Sequence, residues 1–157
     1  MIPNDVLRSV RYLLDLSDQQ VVDVIHLSDP GFPVDKALVQ AWLKKDDEDG
    51  YVESPDGALA HFLDGLVVHY RGRKEDATPR PVEKRLTNNA VMKKLRVAFE
   101  LKDVDLHATF AAAGFPVTKP ELSAIFRQPG HYNYRACGDQ MLRNFLKGLA
   151  VRSRGAA

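Results

Sequence analysis

One half of this chain repeats the other. With an offset of 83 residues, Gly31-Phe32-Pro33-Val34 falls on Gly114-Phe115-Pro116-Val117, Phe62-Leu63-Asp64-Gly65-Leu66 on Phe145-Leu146-Lys147-Gly148-Leu149, and Arg71-Gly72 on Arg154-Gly155. Tyr51, Asp56 and Leu59 match Tyr134, Asp139 and Leu142 at the same offset. Nearer the start the offset is 85, pairing Asn4, Val6, Arg11, Leu16 and Asp18 with Asn89, Val91, Arg96, Leu101 and Asp103. The first copy therefore holds two extra residues near Asp29-Pro30, an insertion in a turn. A duplication of this kind narrows the fold sharply, because the same apolar pattern must be buried by the same plan twice.

Each copy reads as four helices. In the first, Asn4 is placed to cap a segment with Val6, Leu7, Val10, Leu13 and Leu14 on one face, and Ser17 with Gln20 makes a capping box before Val21, Val24 and Ile25. Gly31 is expected to close that second helix. Asp35 caps a third, carrying Leu38, Val39, Trp42 and Leu43, and Ser54-Pro55 opens a fourth with Leu59, Phe62, Leu63, Leu66 and Val67 at helical spacing. The second copy follows with Asn89 ahead of Val91, Met92, Leu95 and Phe99. Asp103 stands ahead of Leu106 and Phe110, and Thr118 with Glu121 forms a capping box before Leu122, Ile125 and Phe126. A last stripe runs through Met141, Leu142, Phe145, Leu146 and Leu149. No stretch alternates with period two between turn signals. The expected fold is all-α, two tandem pseudo-repeated four-helix units packed together: unit 1 over 1–72, a charged and proline-bearing linker over 73–87, and unit 2 over 88–155. Gly65 and Gly148 fall on the apolar side of the fourth helices, where a glycine costs about 1 kcal/mol against alanine. They are expected where a helix approaches closely, at the contact between the units.

Composition removes several classes. With 157 residues, 45% apolar and 27% charged, the chain has the make-up of a folded domain and not of a disordered or collagenous one. No run of 18 apolar residues offers a membrane span, and Met1-Ile2-Pro3-Asn4-Asp5 lacks the basic-then-apolar layout of an export signal. The expected location is the cytoplasm, away from membranes. The lone Cys137 forms neither an internal disulfide nor a thiolate cluster. The near-neutral total of +1 hides a split: residues 1–79 carry 8 Lys and Arg against 15 Asp and Glu, and residues 80–157 carry 14 against 6. Unit 1 is acidic and unit 2 basic, which bears on partners and not on fold.

Three stretches carry a family resemblance: Asn4-Asp5-Val6-Leu7-Arg8-Ser9-Val10-Arg11-Tyr12, Trp42-Leu43-Lys44-Lys45-Asp46-Asp47-Glu48-Asp49-Gly50-Tyr51, and Gly138-Asp139-Gln140-Met141-Leu142-Arg143-Asn144-Phe145-Leu146. Over nearly all of residues 3–152 the chain resembles the bacterial YehS family, a domain family of unassigned function. The resemblance implies a bacterial cytosolic protein and brings with it no reaction, cofactor or catalytic residue.

Two constellations suit nucleic acid. Residues Asp103 to Gln128 have a helix-turn-helix outline, with a glycine turn at Gly114 and a second helix expected to present Lys119, Glu121, Ser123, Arg127 and Gln128. Extended polar side chains read base edges, and flanking cations neutralise phosphates. The turn Gly114-Phe115-Pro116-Val117-Thr118 is long for that motif, and plain helix packing accounts for the same outline. Just beyond, Arg127-Gln128-Pro129-Gly130-His131-Tyr132-Asn133-Tyr134-Arg135 interleaves rings, amides and cations, the composition of a base-stacking and phosphate-holding loop. Tyr134 matches Tyr51, so both are expected to plug their own unit's core. His131, Asn133 and Arg135 have no like residue in the first copy. With Lys93, Lys94, Arg96 and Arg143 as further phosphate contacts, these residues make up the candidate site.

Other chemistry has little support. Lys45-Asp46-Asp47-Glu48-Asp49-Gly50 suggests a calcium loop, yet its first position is a lysine and its last ligand would be Asp56, so no metal site is expected. The five histidines form no i, i+4 pair, and no nucleophile or phosphate-loop motif is present. Cys137 beside a helix start is either a reactive thiolate or, more often for a lone cysteine, a small buried apolar residue. No cofactor is expected. Three readings follow in order: a protein-interaction or self-associating module in which an acidic unit meets a basic one, a nucleic-acid-binding protein using unit 2, and, weakest, an enzyme.

Overall fold

A computed structural model describes residues 1–72 and 86–154. Among these, all regular structure is helical: α1 (Pro3–Leu14), α2 (Asp18–Ser28), α3 (Lys36–Leu43) and α4 (Asp56–Arg71), then α5 (Asn88–Ala98), α6 (Asp103–Ala112), α7 (Lys119–Ile125) and α8 (Asp139–Ser153). The contacts divide into two units, Ile2–Leu86 and Thr87–Ala157, the second including Met1. Most of the expected linker, residues 73–85, lies outside the described residues, as does Gly155.

In unit 1 the long α4 crosses α2 and also touches α1, while α3 packs on α1 and α2. Val6, Leu7, Val10, Ile25, Val39, Trp42, Phe62, Leu63 and Leu66 fill the space between them and are almost fully buried. Each such side chain contributes about 1.5–3 kcal/mol of transfer free energy. Unit 2 repeats the plan with Val91, Met92, Leu95, Leu106, Phe110, Leu142 and Phe145. The rings of Phe110 and Phe145 lie 5.5 Å apart.

Several helix ends follow the expected chemistry. Ser17–Gln20 and Thr118–Glu121 form reciprocal capping boxes, and the Asp35 carboxylate accepts the Leu38 N–H at 2.8 Å. Other ends differ. Asn4 does not cap α1: Ile2 holds that position, and Pro3 starts the helix with its fixed φ and missing N–H. Asn89 likewise lies inside α5, whose cap is Thr87 accepting from Ala90 N–H at 3.1 Å. α2 stops at Asp29 and not at Gly31; the Asp29 carboxylate accepts the Gly31 N–H at 3.0 Å and turns the inserted segment. α4 begins at Asp56, one residue after Pro55.

The two asparagines instead staple each unit from inside. Asn4, wholly buried, donates to the carbonyls of Trp42 at 3.0 Å and Val52 at 2.9 Å and accepts the Ser54 N–H at 2.9 Å. Asn89 makes the same three bonds one repeat later, to Ile125 at 3.0 Å, Arg135 at 2.8 Å and from Cys137 at 2.8 Å. An asparagine side chain that donates twice and accepts once satisfies three backbone groups that have no helical or sheet partner. In this way the loop after the third helix is fixed to the first.

The matched glycines also act within a unit. A Cβ on Gly65 would lie 1.9 Å from the Val24 carbonyl oxygen, and one on Gly148 would lie 1.9 Å from that of Thr109. The close approach expected at these positions is real, but it is α4 against α2 and α8 against α6, and not a contact between units. A side-chain-free helix face lets the two backbones meet, because the partner there is a carbonyl that cannot move aside.

Candidate functional site

The copies share a frame and differ in what α3 and α7 leave open. In unit 1, Gln40 on α3 reaches α2, donating to the Asp18 carboxylate at 3.2 Å, and Arg11 pairs with the same carboxylate at 3.5 Å. In unit 2 the residue equivalent to Gln40 is Ser123, which is shorter and makes no such bond. Gln19 and Val22 are replaced by Val104 and His107. α7 makes at most sparse backbone contact with α5 and α6, unlike α3 with α1 and α2. A cleft of about 790 Å³ opens there, lined by Arg96, His107, Lys119, Ser123, Phe126 and Arg127 among others.

The cations differ as well. Arg8 in unit 1 donates to the carbonyls of Leu43 at 3.3 Å and Lys44 at 2.8 Å and approaches Asp5 at 3.4 Å. Its unit 2 equivalent, Lys93, is exposed, makes no side-chain hydrogen bond or ion pair among the described residues, and has Ala90 where Asp5 stands. Lys44 is tied to the Asp49 carbonyl at 2.8 Å, whereas Arg127 at the matching position is exposed and unpaired among the described residues. Lys119 and Arg135 are also exposed and unpaired among the described residues.

From Arg127 to Gly138 the loop contains no carboxylate, while its counterpart in unit 1 carries Asp46, Asp47, Glu48, Asp49 and Glu53. Residues that set a negative potential in one copy become Pro129, Gly130, His131, Tyr132 and Ala136 in the other. Tyr132 is 89% exposed, and one face of its ring is stacked on His131 with centroids 4.7 Å apart and planes 19° from parallel. Tyr51 and Tyr134, expected as core plugs, are only half-buried. Of the rings in this loop Tyr132 faces outward, and His131 is half-buried like Tyr134.

The remaining candidates fall into place unevenly. α7 ends at Ile125, so Arg127 and Gln128 lie on the turn beyond it and are not presented by a recognition helix, as the outline had suggested; Lys119, Glu121 and Ser123 are on the helix and exposed. A seven-residue helix after a six-residue connection is a poor fit to helix-turn-helix geometry. Arg96 is committed to the fold. It donates to the Leu101 carbonyl at 3.1 Å and to Asp103 at 2.9 Å, and its guanidinium lies 4.8 Å over the Phe126 ring. Asn133 donates its main-chain N–H to His131 Nδ1 at 3.0 Å. Arg143 sits on α8, one turn after Asp139, and Lys94 is half-buried on α5.

Catalytic arrangements gain nothing. Cys137 is buried, and burial first, with Asp139 second, raises its thiol to about 11, so the helix start of α8 does not make it a thiolate. One constellation was not apparent in the sequence: Ser28 Oγ lies 3.0 Å from His61 Nδ1, and Asp29 lies 3.7 Å from His61 Nε2. The residue types are those of a hydrolytic triad, but Ser28 ends α2. An oxyanion formed on a substrate there would meet the negative pole of that helix. The group serves instead to hold the inserted turn to α4. Among the described residues no group of three or more His, Cys, Asp or Glu side chains is disposed to hold a metal. No helix of the described residues is long and apolar enough to cross a membrane.

Fold and surface together define an all-helical protein of two tandem four-helix units, alike in frame and unlike in charge. The chain belongs to the family described as "Protein of unknown function (DUF1456)", which matches it twice, over residues 3–72 and 88–155, the two copies recognised from the repeat. It is 44% identical over 152 residues to "Uncharacterized protein YehS" of Escherichia coli (strain K12), covering 97% of this chain and 96% of the relative. No solved structure matches it.

Proposed function

We propose that unit 2 binds nucleic acid through the phosphate backbone, at the end of α7 and along the loop that follows. The observation that carries this reading is the release of cations at positions where the sister unit spends them. Lys93 and Arg127 correspond to Arg8 and Lys44, which bond backbone carbonyls in unit 1. A buried or paired cation adds little to a partner's affinity, whereas an unpaired one beside a carboxylate-free loop is available to displace counterions from a phosphate chain. Lys93 shares a face of α5 with Asn89 and Arg96, and those two contact Arg135 and Phe126, so Lys93, Arg127 and Arg135 border one region. The cleft beside it adds Lys119, Ser123 and His107 as donors for phosphate oxygens.

This reading is preferred to the protein-interaction module placed first by sequence. In the acidic loop of unit 1 Lys44 donates to the Asp49 main-chain carbonyl and the Lys45 N–H to the Glu48 carboxylate, and its counterpart in unit 2 presents exposed arginines together with the exposed Tyr132 ring, a combination that suits a stacked and charged strand. The test is fluorescence anisotropy with labelled single-stranded and duplex oligonucleotides of about 20 nucleotides at low and moderate salt. Affinity is expected to fall steeply with salt, and the double substitution Arg127→Ala, Arg135→Ala to lower the salt slope by roughly one unit per lost phosphate contact. Absence of binding at low salt, or binding indifferent to salt, rejects the reading.

A further inference from the structure

We infer that the ligand of unit 2 is unpaired nucleic acid, one of whose bases stacks on the open face of Tyr132. The inference rests on the phosphate-binding reading above and adds the class of strand to it. Tyr132 is the most exposed large apolar side chain of the described residues, at 89%. Its ring also lies alongside that of His131, near-parallel at a 4.7 Å ring separation, an offset arrangement that leaves most of Tyr132 open. His131 in turn is fixed three ways: its N–H donates to the Gln128 carbonyl at 2.9 Å, its carbonyl accepts the Tyr134 N–H at 2.9 Å, and Nδ1 accepts the Asn133 N–H at 3.0 Å. With Nδ1 an acceptor, the neutral imidazole carries its proton on Nε2. The result is a near-parallel pair of rings with the outer one exposed, a surface on which a flat nucleobase can stack.

Duplex bases are stacked on one another and present only their edges, so a protein ring meets a base face only where the strand is unpaired. Arg127 and Arg135 flank the pair in sequence, five residues before and three after Tyr132, and supply cations for the phosphates on either side of the stacked nucleotide. Unit 1 serves as an internal comparison. There Glu48 and Asp49 replace His131 and Tyr132, removing both rings and adding charge that repels phosphate. Stacking is indifferent to base identity, since every base has a π-face, so no strong sequence preference is expected.

The experiment compares a single-stranded oligouridine, a single-stranded oligothymidine and a duplex of equal length by anisotropy, using the full chain, Tyr132→Ala, Tyr132→Phe and the double substitution Arg127→Ala, Arg135→Ala. Tyr132→Ala is expected to weaken the single-stranded probes about tenfold, the scale of one base–aromatic stack, and to leave duplex binding unchanged; Tyr132→Phe retains wild-type affinity. Oligouridine over oligothymidine, or the reverse, assigns RNA or DNA, and either supports the inference. Equal single-strand affinity in Tyr132→Ala overturns it. If the arginine variant still loses binding in that case, the phosphate reading stands without the stack; if it binds as the wild type does, both are overturned. Tighter binding of duplex than of single strands also defeats the inference. The exposed position of Tyr132 makes loss of fold in these variants unexpected, and unchanged thermal melting verifies it.

Discussion

Asn4 and Asn89 show how one side chain can hold a unit together. Replacing either by alanine removes three hydrogen bonds, and for Asn4→Ala, whose partners are the more buried, a loss of about 3 kcal/mol is expected in urea unfolding. From sequence Asn4 reads as a cap, because a capping asparagine and a buried one have the same local signature; only Trp42, Val52 and Ser54, 38 to 50 residues away, distinguish them. Cys137 makes a second residue-scale case. A thiol raised from 9.0 to about 11 by burial holds roughly a hundredfold less thiolate at pH 8, so iodoacetamide should label the native protein far more slowly than the urea-unfolded one. Since the folded-state value is the higher, the stability it contributes is intact below pH 9 and is lost as pH rises from 9 to about 11. Cys137→Ser, which copies Ser54 of unit 1, should flatten that part of the stability profile in thermal melts.

At the level of elements, the crossing of α4 on α2 and of α8 on α6 depends on an absent side chain. Gly65→Ala and Gly148→Ala each place a methyl where a backbone carbonyl already sits, and the helices must part along their contact. A loss of about 3 kcal/mol, the upper range for overpacking, is expected for each in calorimetry or urea unfolding. Unchanged stability in both would remove the crossing from the account. α3 and α7 differ by a smaller substitution with a larger functional consequence. Ser123→Gln should restore the reach that Gln40 has in unit 1, tether α7 to Asp103 and fill the cleft. The expected result is about a threefold loss of oligonucleotide affinity without loss of thermal stability, since one net hydrogen bond is of that order. The existence and order of these helices were readable from capping and periodicity, whereas the end of α7 before Arg127 was not. Phe126 and Arg127 continue the helical pattern of residue types, but a further turn would need residue 129 to donate to the Ile125 carbonyl, Pro129 has no N–H, and the Asn89 amide takes that acceptor instead.

At the scale of the molecule, the two units carry opposite balances, 8 Lys and Arg against 15 Asp and Glu in residues 1–79 and 14 against 6 in residues 80–157. A protein of net charge +1 with evenly mixed charge passes ion exchangers with little retention. This one should bind both a cation and an anion exchanger at pH 7.5 and low salt, and leave each at moderate salt, because each unit presents its own field. Failure to bind the cation exchanger would show that the cations of unit 2 are neutralised in place. The amino-acid order alone specified the duplication, the helical period, the caps at Ser17, Asp35 and Thr118 and the charge inversion, since these are properties of neighbours along the chain. It did not specify which glycine met which helix, which asparagine was buried, or which arginines were spent. Those outcomes depend on backbone groups brought together from distant positions, and a side chain becomes free for a ligand only when folding leaves it without such a partner.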